Sequence, residues 1–176
     1  SGWHFNLIHD LMKTTGCADA RDIREKYRLQ KILTEVNCNI GVLSARRLGM
    51  VAIPALMGNT FVIKAHAGPT TTSRLFQRLG LLHITYIYRD PRDMLVSQVF
   101  FATDMHEEHG MHDFYNSLPD FGERLKVAIT GIDRDGLKMV SVRQRYEGVF
   151  EWLNTRGVMC IRFEDLISNR DDTLNA

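Results

Sequence analysis

The sequence predicts an α/β fold in which a parallel β-sheet is flanked by helices, and three observations carry that prediction. Short β-branched runs alternate with stretches of helical periodicity, the four prolines are scattered, and no repeat, low-complexity stretch or Pro/Gly/Ser linker divides the chain. The composition agrees: 176 residues, 44% hydrophobic and 24% charged, have the balance of one globular domain, residues 1–176, and not of a disordered tail.

The elements follow in order. From Trp3 to about Thr14, Phe5, Leu7, Ile8, Leu11 and Met12 fall near helical spacing, and Gly16 suits the position just past a helix end. A second helix is expected from Ala20 to Val36 through Ile23, Tyr27, Ile32 and Leu33, and a third around Leu48 to Met57. Thr60 to Lys64, after Gly58-Asn59, reads as a short buried strand, and Leu81 to Tyr88 as a longer one. Between them, Thr70, Thr71 and Thr72 supply helix-start signals and Gly80 a stop. Asp90 as N-cap with Pro91 at the first helical position opens a helix through Met94, Leu95, Val99 and Phe100. Met105 to Asp120 is polar and His-rich and is expected to include mobile surface. Helices near Phe121 to Ile129 and Leu137 to Thr155 then precede a third strand from Val158 to Phe163.

Several functions are disfavoured at once. With 22 Lys+Arg against 21 Asp+Glu the formal charge is +1, which lacks the concentrated positive field of a nucleic-acid binder. No apolar run approaches the roughly 20 residues that span a bilayer, and the first residues lack the basic and apolar regions of a signal peptide. The chain therefore reads as soluble, intracellular and cytoplasmic. Cys17, Cys38 and Cys160 form no CxxC pair and are expected to be small buried hydrophobes.

Ligands of open parallel sheets bind where strands end, so the residues that leave each strand are the candidates. After the first expected strand come Lys64-Ala65-His66, after the second Arg89-Asp90-Pro91-Arg92-Asp93, and after the third Glu164-Asp165. Lys64 and His66, two apart in an extended segment, point the same way and together offer a cation and a near-neutral base. The same residues also suit a strand end running into solvent, and the Arg/Asp cluster an ordinary solvated helix start. Ser1-Gly2 at the opening of a helix is half of an anion-binding arrangement, since free backbone N–H groups there face a phosphate. His106, His109 and His112 lack the H-E-x-x-H order of a metal site and read as a solvated loop. Val149, Phe150 and Trp152 have core-like spacing.

Five segments, taken together, carry a family resemblance: Ser1-Gly2-Trp3-His4-Phe5, Phe61 to His66, Tyr86 to Ser97, Tyr146 to Trp152, and Arg162 to Leu166. In this order they resemble the successive motifs of sulfotransferases that use 3′-phosphoadenosine 5′-phosphosulfate (PAPS), and the Arg-x-Pro-x-Asp-x-x-x-Ser stretch that starts at Asp90's neighbour Arg89 is the most specific. The resemblance implies a P-loop NTPase-like architecture. It implies that Ser1, Gly2, Trp3 and His4 form the second half of the loop that holds the 5′-phosphosulfate, where the family has Ser-Gly-Thr-Thr, and that Phe5 stacks on adenine. It also implies that Arg89 and Ser97 bind the 3′-phosphate, that Tyr146 lies near the nucleotide, that His66 is the catalytic base and that Lys64 lies beside the transferring sulfuryl group.

The chemistry suits those residue types. Sulfuryl transfer to a hydroxyl or amine acceptor, like phosphoryl transfer, is catalysed mainly by positioning and charge stabilisation. A histidine can take the acceptor's proton, a lysine can face developing charge, and an arginine fork matches a phosphate. No metal is required. On the resemblance, the chain is expected to be a fragment that lacks the family's first strand and the basic Gly-rich segment beyond the Glu-Asp motif. Two other readings stay open: a P-loop-type nucleotide or metabolite kinase, which needs a G-x-x-x-x-G-K-[ST] that the sequence does not contain, and a catalytically silent nucleotide-binding domain. Met105 to Asp120 does not distinguish one small-molecule acceptor from another.

Overall fold

The computed structural model describes residues 2–134 and 136–168. It is a mixed α/β protein with a small parallel sheet of two strands flanked by helices. The chain divides into two compact units, Ser1–Tyr86 with Val149–Met159, and Ile87–Gly148 with Cys160–Ala176.

The first unit opens with α1 (Gly2–Thr14). Phe5 and His9, one turn apart, are its buried face, whereas Leu11 lies off that face and is exposed. Gly16 at φ +92° ends the helix as expected. Next comes α2 (Ala20–Lys26), capped by Asp19, whose carboxylate accepts from the Arg21 N–H. This helix stops ten residues short of the expected Val36, because Arg28 turns left-handed at φ +54°. The Leu29 N–H then returns to Arg24 O at 2.8 Å and the Arg28 N–H to Glu25 O at 3.2 Å, a Schellman closure built without glycine. The turn releases Leu29 and Leu33 into the core, where both are nearly fully buried. Arg24 and Arg21 hold the following loop by bonds to the Leu33 and Val36 carbonyls.

The expected strand at Thr60 to Lys64 is reduced to one parallel bridge, Asn39 with Lys64. Ile40 N–H donates to Lys64 O at 2.8 Å and Lys64 N–H to Cys38 O at 3.2 Å. The partner segment cannot extend the ladder, because Cys38 sits at φ +45°, outside the β region. Two more helices complete this part: α3 (Ala45–Leu56), capped by Ser44, and α4 (Thr71–Arg78), opened by a reciprocal capping box between Thr70 and Ser73. The core gathers Phe5, Ile23, Leu33, Ile40 and Leu48 around Trp152, whose indole N–H donates to Ala67 O at 2.9 Å. Trp152 belongs to a 3₁₀ turn, Phe150–Asn154, and packs as its spacing suggested.

β1 (Ile84–Tyr88) pairs with a later strand, Val158–Arg162, and leads directly into α5 (Pro91–Phe100), with Asp90 as N-cap and Pro91 at the helix start. This strand, turn and helix agree with the sequence reading. α5 continues into a π-helical turn, Phe101–Met105, and then α6 (His112–Asn116) and α7 (Phe121–Thr130). The single helix expected over Leu137 to Thr155 is instead a β-hairpin and a shorter helix. β2 (Ile132–Arg134) and β3 (Leu137–Met139) pair antiparallel, Ile132 opposite Met139, before α8 (Val142–Val149). The second unit's core is Leu95, Val99, Ala102, Met111, Tyr115 and Ala128. The strand Val158–Arg162 is β4, and α9 (Phe163–Ser168) follows it. Cys160 on β4 is exposed, not buried, whereas Cys38 is buried. Among the described residues no helix is long and apolar enough to cross a membrane.

Candidate functional site

The candidate residues fall into one set in each unit. In the first unit, Gly2, Trp3 and His4 form the first turn of α1, and Ser1 lies outside the described residues. The imidazole Nε2 of His4 is buried and has no hydrogen-bond partner. Burial and the positive charge of Lys64 both hold the His4 ring below the usual histidine range. Lys64 is fixed through its backbone by the bridge to Asn39, and burial lowers its own ammonium below the ordinary lysine value. Among the described residues Lys64 has no carboxylate partner.

His66 follows two residues later, beyond the bridge. Its surface is exposed, yet crowding by the surrounding protein, joined by the charge of Lys64, pushes the imidazole down to about 4. Lys64 is thus within electrostatic reach of both histidines. Phe5 is placed differently from its expected neighbours: at 3% exposure it lies in the core, its ring 5.4 Å from that of His9.

In the second unit, Arg89 occupies the step between β1 and the N-cap of α5. Its guanidinium carbon stands 4.8 Å from the Phe163 ring centre, a cation–π distance, and Nη2 is 4.0 Å from Asp93 Oδ2. The Nε of Arg89 is buried without a hydrogen-bond partner. The turn that carries it is held from several sides. Asp90 accepts from the Arg92 N–H at 2.9 Å and from the Arg92 guanidinium at 2.6 Å, and these bonds lower its carboxyl to about 2. Asp90 N–H donates to Glu164 Oε1 at 3.1 Å, while Arg162 Nε donates to Glu164 Oε2 at 3.1 Å.

Glu164 therefore ties the end of β4 to the end of β1. Its pair with Arg162 is local, two residues back along the chain. The bond to the Asp90 backbone, 74 residues away, and the Phe163 ring under Arg89 escape sequence reasoning, since only folding makes them neighbours. Their one signal is their place in the Arg162 to Leu166 segment.

Ser97 is exposed on α5, one turn beyond Asp93 on the same helical face. Tyr146 on α8 is half-buried; burial raises its hydroxyl above the ordinary tyrosine value, and the charges of Asp90 and Arg89 reach it. Arg89 and Tyr146 thus share one electrostatic neighbourhood.

The His-rich stretch is organised by aromatic packing and backbone bonds. His106 and His109 lie 5.4 and 6.1 Å from the Phe101 ring, and His112 Nδ1 is 2.9 Å from Ala102 O. Among the described residues no group of three His, Cys, Asp or Glu side chains is arranged to hold a metal ion. No protein-family model, curated protein or solved structure matches the chain.

Proposed function

We propose that this chain is a sulfotransferase of P-loop NTPase-like architecture that moves a sulfuryl group from PAPS to a hydroxyl or amine of a small acceptor. The observation that carries the reading is a set of polar groups short of partners: Arg89 Nε and His4 Nε2 are buried without a hydrogen bond, and Lys64 has no carboxylate among the described residues. Buried donors left unpaired cost free energy, and an anionic ligand removes that cost.

PAPS supplies an activated sulfuryl group when bound. In this reading Arg89 and Ser97 hold the 3′-phosphate, with Tyr146 near the nucleotide, and Asp90, Glu164 and Phe163 fix the direction of the Arg89 side chain. Gly2, Trp3 and His4, together with Ser1, face the 5′-phosphosulfate. Lys64 stabilises negative charge on the leaving side, and His66 accepts the proton of the acceptor hydroxyl or amine. At neutral pH a histidine depressed to about 4 is unprotonated and has a free lone pair for that step. The burial of Phe5 favours a packing role over adenine stacking.

The test is sulfuryl transfer by His66→Ala. Transfer is expected to fall by 10²–10⁴-fold, the usual contribution of a general base, while adenosine 3′,5′-bisphosphate still binds. Wild-type rates in this variant would remove His66 from the base role.

A further inference from the structure

The first unit carries an open groove of about 520 Å³ that shares no residue with either candidate set. It lies where the chain enters β1 and β4. Arg74, Gln77 and Arg78 of α4 line it, with Leu82 and His83 before β1 and Arg156 before β4. No Asp or Glu is among its lining residues. Arg74 is paired with Glu151 at 2.7 Å, but Arg78 and Arg156 have no carboxylate partner among the described residues.

The backbone under Arg156 is held in place. Gln77 Nε2 donates to Arg156 O at 2.9 Å, and the next residue, Gly157, takes φ +79° with only 3.2 Å between a Cβ there and Gln77 Nε2. Three guanidinium groups against one carboxylate at a single concavity repel one another, and an anion relieves that repulsion. Guanidinium forks match phosphate oxygens two at a time. The volume falls within the range of small-molecule sites and exceeds what one phosphate fills.

We infer that this groove is a second anion site, which binds a small solute bearing a diphosphate group between the α4 arginines and Arg156. The probe is inorganic pyrophosphate, titrated calorimetrically into the full chain at low salt. Arg78 and Arg156 are both exposed, so replacing them leaves the core intact. The Arg78→Ala/Arg156→Ala double variant is expected to lose at least about 10-fold in affinity, as two charge-assisted contacts imply. Glu151→Gln, which frees Arg74, is expected to bind more tightly than wild type, and Arg89→Ala to bind as wild type does.

Absence of pyrophosphate binding, or binding unchanged in the double variant, would overturn the site. Orthophosphate binding as tightly as pyrophosphate would overturn the diphosphate preference. Loss of binding in Arg89→Ala alone would move the anion to the other candidate set, against the groove and without harm to the sulfotransferase reading.

Discussion

Lys64 and the surrounding protein depress His66 to about 4, so at neutral pH the imidazole is ready to accept a proton but has little affinity for one. A phosphosulfate bound nearby adds negative charge and favours the imidazolium, which raises the apparent value. On the proposed function the base must be unprotonated, so activity is expected to fall as pH drops through that value. In a pH–rate profile the rising limb of kcat/KM, which reports the free enzyme, is expected near pH 4, and the limb of kcat at higher pH. Coincident limbs would show that bound nucleotide does not act on His66.

A second residue-scale prediction concerns Asp19. Its 17% exposed carboxylate would be raised by burial alone, but Lys13 at 2.9 Å, the Arg21 N–H and His9 together bring it from 3.8 to about 2. A depressed acid stabilises the fold above its unfolded value, and that contribution disappears as pH falls through the folded one. Asp19→Asn, which keeps a capping oxygen, is expected to cost on the order of 2 kcal/mol at pH 7. Denaturant titrations from pH 7 down should show the difference shrinking between about pH 4 and 2. A difference constant with pH would assign the loss to packing.

At the scale of elements, Gly131 is the most exacting position of the β2–β3 hairpin. It joins α7 to β2 at φ +79° and ψ 177°, a region open essentially to glycine alone, and a Cβ there would meet Met139 O at 2.5 Å and Ser141 N at 2.7 Å. Gly131→Ala is expected to destabilise by more than about 2 kcal/mol in chemical unfolding. Gly136→Ala, at φ +79° with open space around it, serves as the milder comparison. Equal losses would show that conformation, not backbone collision, sets the cost.

The hairpin also marks where the sequence stops being readable. Ile132-Asp133-Arg134 and Leu137-Lys138-Met139 alternate with period 2, but over only three residues each, so the helical pattern of the following segment masks them. The α2 helix fails to reach Val36 because an arginine, not a glycine, takes the left-handed stop. The start of α5 is readable because Asp90 and Pro91 each act locally, through a side-chain cap and a fixed φ. The end of the Thr60 to Lys64 strand is not, since it depends on the backbone of Cys38 far upstream.

For the whole molecule, each compact unit has its own core and its own set of polar residues without full partners. In the first, the sequence identifies Lys64 and His66 by their place after an extended run. It does not reveal that Phe5 is enclosed, because an aromatic residue near a helix start has the same spacing whether it packs inward or meets a ligand. In the second, Arg89 is identified by its place after β1, and the Phe163 and Glu164 contacts that hold it come from β4 and α9.

The most direct test of the sulfotransferase reading is thermal unfolding of the chain with adenosine 3′,5′-bisphosphate and with ADP, in wild type and Arg89→Ala. A ligand that binds only the native state stabilises it by mass action, about 2.7 kcal/mol at 100-fold its Kd. The bisphosphate is expected to raise the Tm of wild type well above any effect of ADP, and Arg89→Ala to erase that advantage. Equal shifts with both nucleotides, or none with the bisphosphate, would contradict the assignment of a 3′-phosphate site to Arg89 and with it the proposed function.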